Sequence, residues 1–191
     1  DGNTGNDVLS GNSGDDSLFG SDGNDLLLGD DGNDQLSGGF DSDTVKGGSG
    51  DDYLSGDWGD DVLVGGKGFD WVDYHYESSG VTVDLDTGIG KSENGIDTLS
   101  EIESIRGSTW NDTLIGNADS NELDGDEGDD WLSGGLGDDN LYGGKGIDWA
   151  SYQDAGSSVT VDLNLGTATG GAGFDFLQNI ELHIDRFLRF S

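Results

Sequence analysis

Gly47–Ser55 reads GGSGDDYLS, Gly56–Val64 reads GDWGDDVLV and Gly65–Asp70 reads GGKGFD. One nine-residue unit is being repeated, with glycine at positions one and four, aspartate at six and an aliphatic residue at eight. Repetition at a short fixed period means stacked supersecondary units rather than a globular core. Glycine lets the backbone turn through conformations that a Cβ opposes and leaves its carbonyls free to face inward. The aspartate adds a hard anionic oxygen, the ligand type that calcium gathers six to eight at a time. Positions seven to nine are then a minimal strand, with its middle residue inward and its flanks toward solvent.

Working outward, eight units run without a gap from Gly2 to Asp73. Their position-six residues are Asp7, Asp16, Asp25, Asp34, Asp43, Asp52, Asp61 and Asp70. A strand-rich insert follows, Tyr74 to Lys91, in which Val81, Val83 and Leu85 alternate as in a half-buried strand. A degenerate unit at 92–100 supplies Asp97, and Glu101 to Arg106 leads back to the repeats. The second run, Gly107 to Ser151, supplies Asp112, Asp130, Asp139 and Asp148, with Asn121 at the one non-aspartate position six. A second insert, Tyr152 to Thr169, precedes one more unit carrying Asp175. Above the nonapeptide lies a longer period. Residues 29–106 align with 107–184 without a gap, 37 positions being identical.

This pattern resembles the RTX (repeats-in-toxin, hemolysin-type) calcium-binding nonapeptide family, and the resemblance covers nearly the whole chain. It implies an all-β fold, a right-handed parallel β-roll with strand-rich inserts, each 18-residue coil holding two loops and two short strands. It also implies several Ca2+ ions, held between units n and n+2 on one edge by the fourteen aspartates named above. The first run then has room for up to six full sites and the second for up to three. Family members leave Gram-negative cells unfolded through a type I channel, so the expected location is secreted, extracellular or on the cell surface.

Each unit buries essentially one aliphatic side chain while ordering nine backbones, so apolar burial alone is too small to hold the roll. Forty-one acidic against seven basic residues, a net charge of −34, set that burial against strong self-repulsion. The chain is therefore expected to be disordered without calcium and folded with it, because binding to sites absent from the unfolded chain is folding free energy. The same charge argues against nucleic acid and anionic membranes as partners. No apolar stretch is long enough for a transmembrane segment, and with no cysteine there is neither a disulfide nor a catalytic thiol. Asp1 falls at position nine of a unit and methionine is absent, so the sequence is expected to be a segment of a longer protein.

The expected divisions are residues 1–73 and 107–151 as two roll blocks, 74–106 as an insert with one degenerate unit, and 152–191 as a second insert, one unit and a C-terminal cap. The cap rests on the apolar tail around Phe187, Leu188 and Phe190. Aromatics at 18-residue spacing, Tyr53 with Trp71 and Phe40 with Trp58, fall on one face, where the inserts are expected to fold back and cover them. The open alternative is an outward strip for polysaccharide or another surface protein. His75 and His183 occupy non-equivalent places in the long repeat and no nucleophile motif accompanies them, so no catalytic residue is expected. The expected function is non-enzymatic: a secretion and spacer segment of an adhesin or surface-layer protein. The alternative is an accessory module of a secreted lipase, protease or polysaccharide epimerase.

Overall fold

The computed structural model describes residues 1–185, with side chains as far as Leu182. Among these residues there is no helix; the chain is a parallel β-roll of two 11-stranded sheets. Successive units alternate between the sheets, so residues 18 apart become neighbours. Leu9 pairs with Leu27, Leu27 with Val45 and Val45 with Leu63 in one sheet. Leu18, Leu36, Leu54 and Val72 form the matching column in the other. Position eight is the middle of each strand and points inward, so these columns are the core, with Leu27, Leu54, Leu63 and Val72 fully buried.

In the first run the strands are longer than the three residues expected. Ser17–Asp22, Leu26–Asp31 and their successors to Val62–Lys67 continue through position three of the next unit. Position two there adopts a left-handed backbone, as at Ser21 (φ 86°) and Asp30 (φ 77°), which bends the strand without breaking its ladder.

Each insert enters a sheet rather than folding over one. Strands Thr82–Asp84 and Ile89–Lys91 lie side by side between Ile96–Ser100 and Thr113–Ile115. Their pairing is antiparallel within the meander and parallel where it meets the second run. Val83 thereby enters the aliphatic column beside Leu114. In the second copy the equivalent strands, Val159–Asp162, Thr167–Gly170 and Gly173–Gln178, make the same meander in the opposite sheet.

The expectation that the inserts cover the aromatics is thus corrected. Tyr53 stacks on Trp71 with ring centroids 5.5 Å apart and planes within 2°, and Phe40 lies 5.6 Å from Trp58. Phe40, Tyr53 and Trp58 stay exposed, because the insert strands joined the other sheet. What the insert adds to this face is Tyr76, which borders shallow hollows with Phe19, Tyr53 and Trp58. The connection after Trp71–Asp73 is tied to the second run by His75 Nδ1, 2.6 Å from Asp126 Oδ2, an oxygen that also accepts Arg106 Nη2 at 2.9 Å. The expected cap centres on residues 186–191, outside the described part of the chain.

Candidate metal centres

A position-six aspartate is the last residue before its strand, so stacking the strands stacks these carboxylates at the loop edge. In the first run, as far as Asp52, the backbone N–H of each position-six aspartate donates to Oδ1 of the aspartate 18 residues on. Asp7 donates to Asp25, Asp25 to Asp43, Asp43 to Asp61, Asp16 to Asp34, Asp34 to Asp52 and Asp52 to Asp70, all at 2.7–2.9 Å. The second run repeats this from Asp112 to Asp130, Asp130 to Asp148 and Asn121 to Asp139. Two columns of carboxylates result, one at each edge of the roll.

One oxygen of each carboxylate is thereby used, and the other is not. Oδ2 of all eight first-run aspartates, and of Asp130, Asp139 and Asp148, is buried without a hydrogen-bond partner. Buried polar groups are ordinarily paired, and an unpaired anion is costlier still. The space each Oδ2 faces is kept open by the position-one glycine. A Cβ on Gly20 would run into Asp25 Oδ2 and into the carbonyl oxygen of Gly38 in the next coil. Among the described residues no three acidic or histidine side chains converge on one point, and the other oxygens beside each Oδ2 include backbone carbonyls such as this one. An all-oxygen set of carboxylate and carbonyl groups fits calcium.

The electrostatics point the same way. Burial, with neighbouring carboxylates adding to it, pushes Asp61 and Asp130 up to about 8, Asp139 to about 7, and Asp43 and Asp70 to about 6. The residues themselves are almost wholly inaccessible, Asp52, Asp70, Asp130 and Asp148 being 0% exposed. A bound cation would supply the positive charge that these stacked anions lack, since the only Lys or Arg ion pairs among the described residues involve Asp126 and Glu127.

Three of the fourteen expected ligands stand apart. Asp97 accepts Asp61 N–H at 3.1 Å and the Tyr74 hydroxyl at 2.8 Å, so both its oxygens are engaged. Asp112 is fully occupied by Val81 N–H, Ser108 N–H and the Ser108 hydroxyl. Asp175 accepts Asp139 N–H at 3.2 Å and lies beside Tyr152, the counterpart of Tyr74. At the odd position, Asn121 gives its amide N–H to the Glu103 carbonyl and accepts Asn117 N–H. Each column is therefore interrupted once, where protein donors occupy the carboxylate or amide oxygens. Tyr74 and Ser108 escaped the sequence reading because both lie outside position six. The pairing of Tyr74 with Tyr152 in the long repeat was the available signal.

The family profile described as RTX calcium-binding nonapeptide repeat matches four times, over residues 1–36, 37–72, 97–132 and 115–150. No curated protein matches the chain. Among solved structures, extracellular lipase LipA from Serratia marcescens is similar at 17% identity and a TM-score of 0.22, over 83% of this chain and 43% of that one. The chain thus spans less than half the length of that lipase. With the nonapeptide ladder, the buried carboxylate columns and the four profile matches together, the chain belongs to the RTX calcium-binding nonapeptide repeat family.

Proposed function

We propose that the chain is a calcium-dependent folding segment of a secreted protein, exported unfolded and ordered by extracellular calcium into a rigid spacer of an adhesin or surface-layer protein. The observation that carries this reading is the run of buried, unpartnered Oδ2 atoms, which makes the roll an assembly of anions awaiting cations. Extracellular calcium modules commonly bind at about 10⁻⁴–10⁻³ M, a range that keeps such a switch open in the cytosol and closes it outside. The role of the repeats is structural. The test is far-UV circular dichroism across a calcium titration. The expected result is a disordered spectrum in chelator and cooperative gain of β signal near that range; full β signal in chelator overturns the reading.

A second reading, an accessory module of a secreted enzyme touching polysaccharide, is favoured by the exposed row of Phe19, Phe40, Tyr53, Trp58 and Tyr76 on one sheet. Affinity electrophoresis through polysaccharide gels separates the two. Retardation lost in Trp58→Ala and Phe40→Ala supports the module, and free migration supports the spacer.

A further inference from the structure

The first run does not stop where its nonapeptides stop. Asp70 donates its N–H to Glu103 Oε2 at 3.0 Å, and Asp148 donates its N–H to Glu181 Oε2 at 2.9 Å. These are the bonds that every earlier aspartate makes to the next coil's aspartate, with glutamate in its place. Glu103 and Glu181 are equivalent in the 78-residue repeat, and both sit in return segments of six residues, 101–106 and 179–184, instead of nine. The ladder register survives the shortening, Ser104 pairing with Trp71 and Leu182 with Trp149, so each glutamate stands opposite the aspartate it accepts from. Its side chain, one methylene longer, delivers the carboxylate to the same N–H.

The rest of the cradle is reproduced as well. Glu101 and Asn179 adopt left-handed backbones, φ 56° and 54°, and turn their carbonyls toward Gly65 and Gly143. A Cβ on Gly65 would meet the Glu101 carbonyl and Asp70 Oδ2; one on Gly143 would meet the Asn179 carbonyl and Asp148 Oδ2. Asp70 and Asp148 are 0% exposed, and their Oδ2 atoms are buried without partners. Each faces a second carboxylate with no cationic side chain paired to either among the described residues. Beyond Glu103 the column is closed by the Asn121 amide, which holds the Glu103 carbonyl.

We propose that Glu103 and Glu181 are calcium ligands, each closing a terminal site with Asp70 or Asp148 and the carbonyl of Glu101 or Asn179. The six-residue returns are shortened repeats in which glutamate does the work of the position-six aspartate. This assignment rests on calcium filling the columns, and it adds one site at the end of each run.

The experiment is ion counting by equilibrium dialysis on the full chain, its E103Q and E181Q variants and the double variant. Glutamine keeps an oxygen for the Asp70 or Asp148 N–H, so a merely structural hydrogen bond survives while the charge is lost. Each single variant is expected to bind one calcium fewer, the double variant two fewer, the affected site weakening by ~10-fold or more. Terbium gives a local readout, because Trp71 follows Asp70 and Trp149 follows Asp148. The emission lost on Trp71→Phe should already be absent in E103Q, and that lost on Trp149→Phe absent in E181Q. Should E103Q not fold in calcium, E181Q and its terbium signal decide alone. An unchanged ion count and unchanged terbium emission in the variants overturn the assignment. If the parent chain takes up no calcium, it is the column reading itself that falls.

Discussion

Tyr74 donates its hydroxyl to Asp97 Oδ2 at 2.8 Å while Asp97 Oδ1 accepts the Asp61 N–H. A phenol thus stands where eleven of the other position-six carboxylates present a free oxygen. Burial and the Asp97 charge hold Tyr74 well above the usual phenol range, so it stays a donor. Tyr74→Phe removes that donor and leaves a buried carboxylate oxygen unsatisfied. The thermal midpoint in saturating calcium should fall by the equivalent of about 1–3 kcal/mol, measured by circular dichroism.

Asp52 and Asp112 occupy the same position of the nonapeptide but differ in partners. Asp52 has a free Oδ2, whereas both oxygens of Asp112 are hydrogen-bonded. Asp52→Asn should lower the calcium stoichiometry and raise the calcium concentration needed for folding. Asp112→Asn should lower thermal stability with the stoichiometry unchanged. Isothermal titration calorimetry of the two variants checks the contrast, and equal losses of ions would remove it.

Acid should favour the metal-free roll. Asp61 and Asp130 have folded values of about 8, far above an unfolded aspartate near 4. A group raised on folding contributes stability that is full below its unfolded value and gone once pH rises through its folded value. For these two aspartates that window runs from about pH 4 to about pH 8. In excess chelator, β signal should therefore increase as pH is lowered from 8 toward 5. In calcium, protons compete for the same oxygens, so the calcium midpoint should rise over the same interval.

Leu54 is fully buried midway along its column, in register with Leu36 and Val72. Leu54→Ala removes most of the apolar area that its unit contributes. The expected cost is about 2–5 kcal/mol, read as a drop in urea midpoint at fixed calcium.

The roll was legible in Leu54 and Asp52 because both readings are local: an aliphatic residue at position eight must point inward, and an acid at position six must end the loop. What was less legible depends on partners outside the nine-residue pattern. Asp112 has the right type at the right position, yet Ser108 and Val81 occupy its oxygens through an irregular loop and an insert strand. Glu103 has the wrong type at an unnumbered position, yet it lies where a coil's aspartate would. The placement of the insert was missed for a related reason. Alternation in Val81, Val83 and Leu85 marks a strand with one buried face, and covering a sheet or joining it satisfies that pattern equally well. Joining also satisfies the backbone, through the parallel ladder from Thr82–Asp84 to Thr113–Ile115.

The two meanders lie in opposite sheets, and counting explains why. Between equivalent points of the two 78-residue copies the chain makes seven half-turns: five nonapeptides, one meander with its unit, and one short return. An odd count carries every feature to the far flank, so duplication of this block reverses handed display rather than extending it. A third copy would bring the meander back to the first flank. Adding or deleting a single nonapeptide per block would align all meanders along one side. The parity of the repeat number thus sets whether decorations on such a rod face one neighbour or two.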